Sequence, residues 1–69
     1  MDKAQSLVGK TVEQARIEGH KVRVIQLNGK SLRVTRDIVV GRINVEAEGE
    51  NVENAKITRI SMVEGNNDF

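Results

Sequence analysis

A small α+β domain is the fold this sequence predicts: one short helix packed on a small mixed β-sheet, with an exposed loop between strands. Three observations carry the prediction. Apolar and polar residues alternate with a period of two around Ile43, Val45 and Ala47, the pattern of a half-buried strand. The apolar residues are mostly Val, Ile and Leu, with no Trp or Tyr and a single Phe at the last position, a composition that suits strands. Only Thr11 to Gly19 carries helix start and stop signals around a helical spacing. The 69 residues form one domain, of a size that buries only about 60% of its unfolded-chain surface. There is no cysteine to add a disulfide or a thiolate metal site to that modest core.

The chain begins polar, turns apolar at Leu7-Val8, and is broken by Gly9. Thr11 reads as an N-cap, and Gln14 stands three residues on, the spacing of a capping box. Glu13 places negative charge in the first turn, where the helix dipole favours it. Val12, Ala15 and the stem of Arg16 share one narrow face, and Gly19 is a natural stop. A helix of about two turns is not stable alone. It has to dock on the sheet, through Val12, Ala15 and Ile17.

Val22 to Leu27 is the first strand. Val22 and Val24 share a face while Ile25 and Leu27 fall on the other, so either both faces are partly covered or a bulge re-aims the end. Asn28-Gly29 is a strong hairpin signal, which by itself folds Lys30 to Arg36 back onto the first strand. The competing reading lifts residues 34 to 40 clear of the sheet. Arg42 to Glu48 is the clearest strand, with Ile43, Val45 and Ala47 inward and Arg42, Asn44, Glu46 and Glu48 outward. After a turn at Gly49-Glu50-Asn51, Val52 to Ile60 supplies a third long strand, with Ala55 and Ile57 inward and Lys56 opposite a glutamate. From Ser61 the pattern is lost. The ordered core is expected over about residues 7–62, and 63–69 read as a disordered tail.

Net charge is +1 with 30% charged residues, without the concentrated basic face of a duplex binder or the aromatic platforms of a single-strand binder. Nucleic acid is therefore not an expected partner. No apolar run approaches the ~20 residues that span a bilayer, so a membrane is not expected either. The N-terminus lacks the apolar stretch of a secretory signal, which points to the cytoplasm, or to the periplasm or outside if a signal has been removed. His20 follows Gly19 with no partner at catalytic or metal spacing, and Ser6, Ser31 and Ser61 have no nucleophile context. Glu46, Glu48 and Glu50 read as a solvated face. No catalytic residue, metal ligand or cofactor site is expected, and the chain is read as a monomer and not as an enzyme.

Two stretches resemble a known family. Leu7-Val8-Gly9-Lys10-Thr11-Val12-Glu13-Gln14-Ala15 is similar to the opening of the potato inhibitor I family, the eglin and barley chymotrypsin-inhibitor type. Val34-Thr35-Arg36-Asp37, followed by Arg42-Ile43-Asn44-Val45, resembles its reactive loop and the strand behind it. Microbial elastase-inhibitor relatives share the Asn-Gly or Asp-Gly turn, then V-T-x-D, then R-x-N-V. The likeness covers roughly residues 7 to 60. It implies a serine protease inhibitor whose exposed loop binds substrate-like, with Arg36 at P1, Thr35 at P2, Val34 at P3, Asp37 at P1′ and Ile38 and Val39 beyond. The scissile bond is then Arg36–Asp37, the strands flanking the loop run parallel, and the partner is a trypsin-like serine protease. The relatives' polar run after P1′ is replaced here by Ile38-Val39-Val40-Gly41. Asn44 stands where the eglin type has a second supporting arginine, so bracing falls to Arg42.

The residues themselves suit that role. Val34, Thr35, Ile38, Val39 and Val40 favour extended backbone, the shape in which a protease takes its substrate. Thr35 and Asp37 flank the bond and can accept hydrogen bonds from the forked guanidinium of Arg42, which points outward from its strand. Gly41 is expected to loosen the loop. The alternative for Arg42 is a simple ion pair with a glutamate across the sheet. The alternative for the whole chain is a non-inhibitory module that uses the same scaffold to bind another protein.

Overall fold

The structure, a computed structural model, describes residues 3–65. Of the tail expected at 63–69, residues 66–69 lie outside that range.

Thr11 starts the helix. Its hydroxyl accepts the N–H of Gln14 at 3.1 Å, and α1 (Val12–Ile17) follows. Two further N–H groups of the first turn, which a helix cannot satisfy itself, donate to the turn before the last strand: Val12 to Ala55 O at 2.9 Å and Glu13 to Glu53 O at 3.0 Å. At the other end Gly19 N–H bonds Arg16 O and His20 N–H bonds Ala15 O, the paired bonds that close a Schellman motif. Val12 and Ala15 are fully buried. Ile17, expected to dock with them, is 73% exposed. Five residues past Val12, it points about 140° away around the helix.

The sheet has four strands in the order β2-β1-β3-β4: β1 (Val22–Leu27), β2 (Lys30–Ser31), β3 (Ile43–Glu48) and β4 (Lys56–Val63). The central pair, β1 and β3, is parallel, and the outer pairs are antiparallel. The slip in the alternation of β1 is a bulge: the register with β3 skips Ile25, between Val24↔Val45 and Gln26↔Glu46. The turn Asn28-Gly29 takes two positive φ values, 53° and 82°, the combination for which this dipeptide is favoured in tight hairpins. Asn28 also exchanges two side-chain bonds with the backbone of Gly49, which pins the turn to the far end of β3.

The hairpin then stops short. Only Gln26↔Ser31 and Leu27↔Lys30 pair, Leu32 N–H makes one more bond to Ile25 O at 2.9 Å, and residues 32–42 belong to no strand. The parallel pairing demands this: from the end of β1 the chain must travel back to the beginning of β3.

The third long strand begins later and ends later than its residue pattern indicates. Residues 52–54 form a turn, closed by Asn54 N–H on Asn51 Oδ1 and Ala55 N–H on Val52 O. Paired with β3, β4 accommodates two extra residues, Thr58 and Ser61, so Ala47↔Ile57, Val45↔Ile60 and Ile43↔Val63 all pair although their spacings differ. Lys56 stands opposite Glu48, as expected.

The core forms on the helix side. Leu7, from the 3-10 turn Lys3–Leu7, joins Val12 and Ala15 over Val22, Val24, Ile43, Val45, Ala47, Ala55 and Ile57. No helix among the described residues is long and apolar enough to cross a membrane.

Candidate functional site

Val22 and Val24 face the core, so Arg23 between them leaves β1 on the opposite face. The same alternation buries Ile43 and Val45 and turns Asn44 to that face, where it is nonetheless 3% exposed. Arg42 sits just before β3, and Glu64 just after β4. Because β1 and β3 start at one end of the sheet, and antiparallel β4 finishes there, these four residues meet. The loop 32–42 lies over them.

Arg23 binds four ways: Nε donates to Asn44 Oδ1 at 2.8 Å, Nη1 donates to the main-chain oxygen of Thr35 at 3.0 Å and pairs with Asp37 Oδ1 at 3.8 Å, and Nη2 pairs with Glu64 Oε2 at 3.1 Å. Arg42 grips Glu64 with two nitrogens, at 2.6 and 2.9 Å, and reaches Asp37 at its main-chain oxygen, 3.2 Å, and at its carboxylate, 3.4 Å. The Thr35 hydroxyl donates to the Asp37 carboxylate. The main-chain oxygens on either side of Arg36 are thus tied to two different guanidiniums. One carboxylate, 5% exposed, anchors both.

Glu64 holds the loop in further places. Its Oε1 accepts the N–H of Val39 at 3.2 Å, its N–H bonds Arg42 O at 2.8 Å, and its own main-chain oxygen accepts Gly41 N–H at 2.9 Å. Gly41, at φ 85°, supplies the left-handed turn at the loop's base. Its N–H is occupied by Glu64 O. No buried side-chain N or O among the described residues is left without a partner, and a polar network is rigid only when complete.

The charges are tuned accordingly. The Arg42 guanidinium, helped by the Val39 N–H, Asn44 and Arg23, holds the Glu64 carboxyl down to about 2 against burial, from an ordinary value of 4.5. The Thr35 hydroxyl and then Arg42 lower Asp37. Glu64 first, then Asp37, raises Arg42.

The remaining loop residues face out. Arg36, at a bend, is exposed and makes no side-chain hydrogen bond or ion pair among the described residues. Val34 is 44% and Ile38 74% exposed, while Val39 is half-buried. Between loop and sheet runs an open groove of ≈ 360 Å³, lined in part by Ile25, Leu32, Val34 and Met62. No group of three His, Cys, Asp or Glu among the described residues could hold a metal ion.

On the sequence alone, Arg42 supports both flanks. The structure gives the Thr35 side to Arg23, and Asn44 acts on the loop through Arg23. The alternation around Arg23 was a usable signal for it. Glu64 had none, because the extra residues in β4 erase the period that would have carried its position forward. The ion-pair alternative for Arg42 turns out to coexist with the brace, since Glu64 is the partner in one and the anchor of the other. No family model, curated protein or solved structure matches this chain significantly.

Proposed function

We propose that the protein is a serine protease inhibitor of the potato inhibitor I type. It offers residues 34–39 to the enzyme as a substrate-like strand, with Arg36 at P1 and Arg36–Asp37 as the scissile bond. The observation that carries this reading is the double tether, in which Thr35 O and Asp37 O are held by separate arginines while the Arg36 side chain has no partner among the described residues. A loop ordered in advance avoids the cost of ordering on binding. A cut loop whose Asp37 side stays held by Arg42 keeps the new amine beside the acyl-enzyme, so the peptide bond can re-form. Arg36 would pair with a carboxylate at the base of the enzyme's pocket. The parallel β1 and β3 on either side of the loop agree with what the resemblance implies.

Titration of trypsin with the protein, followed by residual activity, tests the reading. Inhibition is expected, and Arg36→Leu should move it toward chymotrypsin-like or elastase-like enzymes; unchanged selectivity rejects Arg36 as P1. Arg23→Ala and Arg42→Ala should each leave the first encounter largely intact and speed cleavage at Arg36. Cleavage no faster than in the parent protein removes the brace from the mechanism.

A second reading, an interaction module without inhibitory activity, is favoured by the open groove between loop and sheet. Digestion at Arg36 without any transient inhibition would select it.

A further inference from the structure

We infer that the target protease has two acidic subsites, one for Arg36 and a second for Arg33, three residues upstream. This rests on the inhibitor reading and narrows its partner.

Four arginines lie in or under the loop, and they divide cleanly. Arg23 and Arg42 are consumed in holding it. Arg33 and Arg36 are exposed and make no hydrogen bond or ion pair among the described residues. The nearest anion in the chain, Asp37, is already engaged by Thr35 and Arg42. The loop therefore presents two exposed positive charges that have no partner among the described residues.

Both charges sit on fixed backbone. Arg33 lies between Leu32, whose N–H is bonded to Ile25 O, and Thr35, whose main-chain oxygen is bonded to Arg23. Its main chain is thus bracketed by hydrogen bonds at residues 32 and 35. Three residues of extended chain set the two Cα atoms ~10 Å apart. In a flat strand they would leave on opposite sides, but residues 32–42 belong to no strand and the chain bends at Arg36. An enzyme whose cleft covers both positions meets both guanidiniums, and it gains most where carboxylates lie at both, since a buried arginine without a partner is costly; an enzyme that covers Arg36 alone leaves Arg33 in solvent.

The rest of the molecule favours the same orientation. β3 runs away from the loop, and residues 43–55 carry Glu46, Glu48, Glu50 and Glu53 with no Lys or Arg, Glu53 being paired with Arg16 and Glu48 standing opposite Lys56. The exposed cationic charge at the loop draws an acidic partner there.

The experiment compares two enzymes: trypsin, which needs one basic residue, and a processing protease of the subtilisin type, verified to cleave an Arg-Xaa-Xaa-Arg peptide and to reject its Ala-Xaa-Xaa-Arg counterpart. Inhibition constants are measured for the parent protein, Arg33→Ala and Arg33→Lys. The parent protein should inhibit both. Arg33→Ala should weaken inhibition of the two-site enzyme by at least about tenfold, as loss of a desolvated charge pair does, and change trypsin inhibition by less than about threefold. Arg33→Lys should recover part of the loss, and an unchanged thermal midpoint shows that the fold is intact. Inhibition of trypsin together with failure at the two-site enzyme, or an equal response of both enzymes to Arg33→Ala, overturns this inference alone. Failure against both enzymes overturns it together with the inhibitor reading.

Discussion

On the helix side of the sheet, Val12 and Ala15 belong to one apolar cluster with Val24, Val45, Ala47 and Ile57; on the loop side, Arg23, Arg42, Asn44 and Glu64 fill the corresponding space with charge and hydrogen bonds. The first arrangement is non-directional. It supplies stability in proportion to buried area and tolerates changes that conserve volume. The second contributes less to stability, because buried ions forfeit hydration. What it supplies is position. Each forked guanidinium fixes where a particular oxygen sits, and the loop's main chain is the object so fixed. One sheet therefore separates folding from presentation, and substitutions on its two faces should fail in different ways.

The largest effect is expected in the core. Ile57, 1% exposed, truncated to Ala should cost roughly 2–5 kcal/mol, a large share of what so small a domain has. Denaturant unfolding would lose most of its folded baseline. A shift of under about 1 kcal/mol would mean that the two faces share stability more evenly than their composition indicates.

Glu64→Gln should behave differently. The fold should persist while the loop loosens, so that hydrogen exchange accelerates at the Val39 amide, which bonds the Glu64 side chain, and stays slow at Val45 and Ile57. Equal acceleration everywhere would erase the distinction between the faces. Acid provides the same test without mutation. Because the Glu64 carboxyl titrates at about 2 in the folded chain against an ordinary 4.5, the unfolded chain binds more protons between those values. The stabilisation is complete above about 4.5 and is lost as pH falls toward 2. Asp37, also lowered, works in the same direction. Stability of Glu64→Gln should vary less across that window than stability of the parent protein, and parallel curves would remove Glu64 from the account.

The smallest effect belongs to Ile17. Exposed on the outer side of α1, it should accept Ser within about 0.5 kcal/mol. A loss above about 1 kcal/mol would show that the helix buries a second face.

The chain's own residues determined the features that depend on near neighbours. Thr11 caps a helix because its hydroxyl reaches three residues ahead, Asn28-Gly29 turns because both residues tolerate positive φ, and the alternation of Ile43, Val45 and Ala47 marks a strand with one apolar face. The α+β class follows from these. Tertiary structure decided how far the hairpin zips and who holds the loop. Parallel pairing of β1 with β3 pulls residues 32–42 off the sheet after two paired positions. It also gathers the start of β1, the start of β3 and the end of β4 at one edge, so that Arg23 and Glu64, separated by 40 intervening residues, form an ion pair. No local period encodes a meeting of that kind. The two extra residues in β4 that bring Glu64 into line also break the alternation by which it might have been foreseen.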